Sequence, residues 1–127
     1  VLGDNVTSIG DSAFANCEGL KKVIIGDSVT SIDNGAFSKC YGLENMTIPP
    51  NVQSIGENAF SDCHLKSIEF VNYVGWHLEI PRNGKKPKIK KINKKLLMDT
   101  VKSIELLTQY SNAKWVNTLD LSKMKKF

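Results

Sequence analysis

Cys17, Cys40 and Cys63, with His64 directly after the third, offer the most versatile chemistry in this 127-residue chain. Thiolates and imidazoles make zinc sites, and a thiol beside an imidazole makes a nucleophile. Spacing decides whether either applies. Structural zinc sites draw paired cysteines from short turns, roughly two to four residues apart, whereas 22 residues separate each cysteine here from the next. Only His64 and His77 are present to activate a thiolate. As adjacent residues commonly face apart, His64 is expected to turn away from Cys63. The three cysteines are therefore read as buried small hydrophobes with free thiols. The carboxylates Asp11, Glu18, Asp27, Glu44 and Glu57 are scattered over positions expected to face solvent, and no glycine-rich phosphate loop is present. No catalytic residue, metal ligand or cofactor is assigned, and the chain is not read as an enzyme.

A second concentration of chemistry is electrostatic. Lys85, Lys86, Lys88, Lys90, Lys91, Lys94 and Lys95 place seven positive charges within eleven residues, enough to attract phosphate, a sulfated glycan or anionic lipid. Aromatic residues are missing from this run, which argues against base stacking on a single-stranded nucleic acid. The first reading is a solvated surface loop; capture of a polyanion, nucleic acid or acidic glycan, is the alternative function. The run belongs to a wider asymmetry. Residues 1–70 carry four lysines against nine acids, and residues 71–127 carry thirteen basic residues against four acids. So sharp a change marks a structural boundary near residue 70.

What positions these residues is a repeat. Displacing the sequence by 23 residues aligns Val6, Val29 and Val52, then Ile9, Ile32 and Ile55, then Ala13, Ala36 and Ala59. Phe14, Phe37 and Phe60 follow, then the three cysteines, and Leu20 with Leu43; Leu65 arrives one residue early. Val23, Met46 and Ile68 complete the pattern with Ile25, Ile48 and Phe70. A unit this short cannot close a core alone, so its inward residues must be covered by the units on either side. Val23-Ile24-Ile25 and Met46-Thr47-Ile48 alternate as short parallel strands, and Gly26-Asp27-Ser28 and Pro49-Pro50-Asn51 form turns after them. A second short strand is expected around Val29 to Ile32 and Val52 to Ile55. A single helical turn is expected over Asp33 to Ser38 and Glu57 to Ser61, driving Phe37 and Phe60 into the stack.

The combination of Ile9-Gly10, Ala13-Phe14 and Cys17, repeated as Ile55-Gly56, Ala59-Phe60 and Cys63, resembles the BspA-like (Treponema pallidum type) leucine-rich repeats across residues 1–70. Ile32-Asp33 departs from that pattern at the glycine column. The resemblance implies an α/β leucine-rich-repeat solenoid of about three units, with short parallel strands and single helical turns. Val1 and Leu2 align with Ile24 and Ile25, so the sequence opens inside a unit. Further repeats before Val1, or another chain, are expected to cover this end, and self-association through it is one expectation.

Beyond Phe70 the register is lost, and residues 71–127 read as a basic capping segment. Asn93 is expected to cap a helix from about Lys94 to Tyr110, with Leu97, Val101, Ile104 and Leu107 on its buried face and Leu106 outside it. Trp115 to Leu119 is expected to be a terminal strand. This helical cap closes the apolar end of the stack, in an arrangement similar to the closing segments of bacterial proteins of the same repeat family.

The outward residues of the expected strands, Lys22 and Ile24, Asn45 and Thr47, Ser67 and Glu69, form a mostly polar stripe suited to a protein or glycan. The function expected is a non-catalytic protein-interaction module. The family resemblance adds a secreted or surface-attached, adhesin-like context, with host or neighbouring-cell surface proteins as partners. No apolar run is long enough to span a bilayer.

Overall fold

Each repeat carries a Ser-Ile pair that can put its isoleucine into a core and its serine outside, and that pair is where the strands of the main sheet form. The computed structural model describes Gly3 and residues 5–118. In chain order its strands and helices are β1 (Ser8–Ile9), β2 (Ser31–Ile32), β3 (Asn45–Ile48), β4 (Ser54–Ile55), β5 (Ser67–Phe70), β6 (Trp76–Arg82), β7 (Lys85–Lys91), α1 (Lys94–Met98), α2 (Thr100–Gln109) and β8 (Lys114–Asn117). Val1, Leu2 and Leu119, on which expectations about the two chain ends rest, lie outside the described residues.

β1, β2 and β4 pair in parallel at the 23-residue offset, Ser8 with Ser31 with Ser54 and Ile9 with Ile32 with Ile55. The sheet then changes sense. β8 pairs antiparallel with β4, β6 with β8, and β7 with β6, giving six strands in the order β1-β2-β4-β8-β6-β7. Because paired residues share a face, one row runs Ile9, Ile32, Ile55, Trp115, Leu78, Lys90 and the row on the other side runs Ser8, Ser31, Ser54, Val116, His77, Lys91. The first of these rows is core: Ile9, Ile32, Ile55, Trp115 and Leu78 are all buried. β3 and β5 form a separate parallel pair, from Asn45 opposite Ser67 to Ile48 opposite Phe70.

Phe14, Phe37 and Phe60 stack in one column, with ring centroids 5.3 and 5.5 Å apart and planes tilted by only 6° and 1°. Parallel stacking at this separation is what identical side chains at equivalent points of successive units must do. The segments that carry them are not helical turns. Ala13, Ala15 and Cys17 donate within their own unit, to Gly10, Ser12 and Phe14, while Ser12, Phe14 and Asn16 donate to Asn34, Ala36 and Ser38 of the next unit. Such alternation requires a left-handed residue at intervals: Ser12, Gly35 and Asn58 have φ of 55°, 65° and 56°, and Asn16, Lys39 and Asp62 have φ of 63°, 60° and 59°. A helix would keep every N–H inside the unit; here half of them join the units.

Two other expectations are corrected. The first copy of the outer strand is missing, because residues 22–25 are not part of a strand, whereas their equivalents form β3 and β5. The long helix is broken at Asp99, whose carboxylate accepts from the backbone N–H of Val101 and Lys102 at 3.0 Å and starts α2 afresh. Asn93 does cap α1, accepting from Lys95 N–H. The restart changes the helical phase, so Val101 is 58% exposed while Leu106 is 9% exposed. Ser103 takes the fully buried position, its hydroxyl donating to the carbonyls of Leu96 and Asp99. Leu97 is buried as expected, and Ile104 and Leu107 are partly buried.

Candidate functional site

The predicted stripe depends on β3 and β5 holding alternate side chains outward. Their pleat does so: Met46, Ile48, Ile68 and Phe70 are buried, while Asn45, Thr47 and Glu69 are exposed and Ser67 is partly so. Asn45 stands opposite Ser67 and Thr47 opposite Glu69, and the Ser67 hydroxyl donates to Asn45 Oδ1 at 2.7 Å. One position before each strand begins, Lys66 and Glu44 form an exposed ion pair at 3.5 Å, of the sort that contributes little stability. Lys22 and Ile24 reach the stripe differently. Without a strand at 22–25, a groove of about 510 Å³ separates this segment from β3, lined by Lys21 to Ile25 on one side and Asn45 and Thr47 on the other. All six predicted residues thus lie on or beside the two-stranded sheet.

A second groove, of about 330 Å³, borders the opposite flank, between Glu69, Phe70, Val71 and Tyr73 and the helix residues Leu97, Met98 and Thr100. Ile24, Val71, Tyr73 and Met98 are large apolar side chains left exposed along these two grooves. The polar stripe is therefore edged by apolar anchors, an arrangement common in surfaces that bind proteins. Val71, Tyr73 and Met98 escape the periodicity argument because they follow the last repeat. Apolar residues after the register ends, at a turn and a helix C-terminus, are the signal that marks them.

The lysine run is a strand and not a loop. Lys85, Lys86, Lys88, Lys90 and Lys91 lie on β7, and Lys94 and Lys95 in α1. All seven are exposed, and none is paired with a carboxylate among the described residues. The Nζ of Lys90 lies 5.9 Å from the centre of the Tyr110 ring, a cation–π contact. The two-residue link Asn83-Gly84, with Gly84 at φ 65°, joins β6 to β7. That dipeptide is the sequence signal for the hairpin.

The thiols are arranged for packing. Cys40 Sγ donates to the Phe14 carbonyl at 3.1 Å and Cys63 Sγ to the Phe37 carbonyl at 2.9 Å, so the proton of each is directed at the backbone of the preceding unit. Burial pushes both thiols up, Cys63 to about 11, which keeps them protonated and poorly nucleophilic at neutral pH. All three cysteines are free. His64 rests against the Tyr41 ring, 5.5 Å between centres. His77 lies on β6 and contacts Glu79 at 3.2 Å, far along the chain from any cysteine. Among the described residues no three His, Cys, Asp or Glu side chains cluster as metal ligands, and no helix is long and apolar enough to cross a membrane.

Comparison with known proteins agrees with this geometry. The family model described as BspA type leucine rich repeat region (6 copies) matches residues 1–75. No curated protein and no solved structure matches the chain significantly.

Proposed function

We propose that this chain, which belongs to the BspA-type leucine-rich-repeat family, is a non-catalytic protein-interaction module and forms the end of a repeat solenoid. In this reading residues 1–70 are the repeats, and residues 71–127 close their apolar end, chiefly through β8 and with α1 and α2 against β5. The observation that carries the function is the outward face of β3 and β5. It presents Asn45, Thr47, Ser67 and Glu69 between two grooves whose exposed apolar residues include Ile24 and Met98. Apolar anchors buried at a contact, surrounded by a polar rim, supply most of the free energy of protein association. The family adds the expectation of a surface-attached or secreted, adhesin-like role, with ligands among host or neighbouring-cell surface proteins.

The test is solid-phase binding of the folded chain to a panel of purified extracellular-matrix proteins, with Ile24→Asp and Thr47→Asp as probes of the stripe. Binding to at least one of them is expected, weakened about tenfold or more by either substitution, since placing a charge at an interface centre leaves it desolvated. Binding that survives both substitutions, or none by well-folded protein, overturns the reading.

A further inference from the structure

Beyond the protein-binding face, the molecule carries a second surface whose charge is uncompensated. β7 is the last strand of the six-stranded sheet, so one of its edges has no neighbour among the described residues. Ile92 N–H donates to the Trp76 carbonyl, which in the register of Leu78 with Lys90 and Ile80 with Lys88 turns residues 88, 90 and 92 toward β6. Residues 89 and 91 therefore turn toward the open edge. Pro87 lies at the register shift next to them, and it has no N–H to offer a seventh strand. Lysines and a proline at this edge disfavour pairing with another strand.

Side chains follow the same alternation. Lys88 and Lys90 stand opposite Ile80 and Leu78 and share their face of the hairpin, and Lys85, opposite Arg82, joins them across the register shift that leaves Lys86 and Pro87 as an irregularity in β7. Three ammonium groups thus rise from one side of the strand, the roots of Lys88 and Lys90 spaced by about 6.6–6.8 Å and that of Lys85 beyond the shift. Lys91, opposite His77, flanks them from the other face, and Lys94 and Lys95 extend the charge into α1. Only Ile89 adds exposed apolar surface to the strand. Lysine offers point charges, not the planar fork that reads a phosphate or carboxylate bidentately, so recognition here rests on charge density along a line.

We infer that the β6–β7 hairpin is a binding site for a linear sulfated polysaccharide, lying along the comb of Lys85, Lys88 and Lys90. A nucleic acid fits less well because Trp76 and Trp115 are buried and Tyr110 is engaged by Lys90, leaving no free exposed ring beside the comb among the described residues on which bases could stack. An acidic peptide adding as a strand meets Pro87 at the edge. A membrane surface would find one apolar side chain on the strand.

Heparin is the probe, titrated against the whole chain at several salt concentrations. The triple variant Lys85→Gln, Lys88→Gln, Lys90→Gln is compared with Lys21→Gln, Lys22→Gln on the protein-binding face. Wild type is expected to bind with a steep salt dependence, and the triple variant to lower the slope of log K against log salt by about two, with unchanged circular dichroism. The Lys21, Lys22 variant should bind heparin as wild type does, so failure of the stripe in matrix-protein binding leaves this result standing. The assignment is overturned if the triple variant keeps wild-type heparin affinity. It is equally overturned if polyuridylate, polyglutamate or phosphatidylserine vesicles bind the comb more tightly than heparin.

Discussion

Cys63 shows how a reactive residue type becomes a packing residue. Burial favours its neutral thiol, raising it from 9.0 to about 11, and its Sγ donates to the Phe37 carbonyl. The sign follows: a group raised in the folded state contributes its full stability below pH 9, and that contribution is lost as the pH climbs through about 11. Cys63→Ala is therefore expected to flatten the fall in thermal midpoint between pH 9 and 11 relative to wild type, and a parallel slope in both proteins would contradict it. Alkylation of Cys63 at pH 8 should also run slower than that of an unfolded control. The columns of the repeat were legible residue by residue, but which equivalents tolerate a change was not. Gly10 has open space where a Cβ would stand, while at Gly56 it would lie 2.5 Å from the Asn34 backbone nitrogen and 2.7 Å from the Asp33 carbonyl carbon. Gly56→Ala should cost roughly 1–3 kcal/mol in denaturant unfolding. Lys39 presents the opposite case, a side chain held at φ 60° with its N–H bonded to Ser61 O. Lys39→Gly is expected to stabilise by up to about 1 kcal/mol by releasing left-handed strain.

Among elements, the short strands were readable because Ser-Ile pairs recur every 23 residues. The hairpin was not, since periodicity needs a buried face and every residue of β7 is exposed. Its register is inherited from β6, where Trp76 and Leu78 are buried; the lysines merely follow. The helix break was hidden for another reason. An aspartate in an amphipathic run reads equally well as a solvent-facing residue or as an N-cap, and only the cap resets the phase. Hydrogen bonds from Lys102 and Val101 hold the Asp99 carboxyl below its usual value of 3.8. A lowered value means the contribution is present above pH 3.8 and lost as the pH falls through the folded-state value. Asp99→Asn keeps a capping oxygen without the charge, so its helical signal is expected to respond less to acid than that of wild type below pH 4. An identical acid response would show that the cap does not contribute.

At the scale of the molecule, the charge boundary near residue 70 is no structural seam, because one sheet crosses it. Ile55 pairs with Trp115, and Trp115 with Leu78, while Phe70 stacks on Trp115 at 5.4 Å and meets Trp76 edge-on. The last repeat therefore shares its core with the hairpin, and the two cannot separate without exposing these rings. Both tryptophans sit at this joint, so their fluorescence reports the C-terminal part, whereas far-ultraviolet circular dichroism reports the whole chain. If the joint couples them, the two signals must change together. Leu78→Ala, at the hairpin, should cost about 2–5 kcal/mol, and Phe37→Ala, within the repeats, about 3–5 kcal/mol. Each substitution is expected to lower the midpoint of both signals equally, although Phe37 lies in the middle of the ring column and well before either tryptophan in the chain. A Phe37→Ala protein whose fluorescence transition stayed at the wild-type midpoint while its dichroism fell would show that repeats and hairpin unfold separately, and that the continuous sheet does not bind them into one cooperative unit.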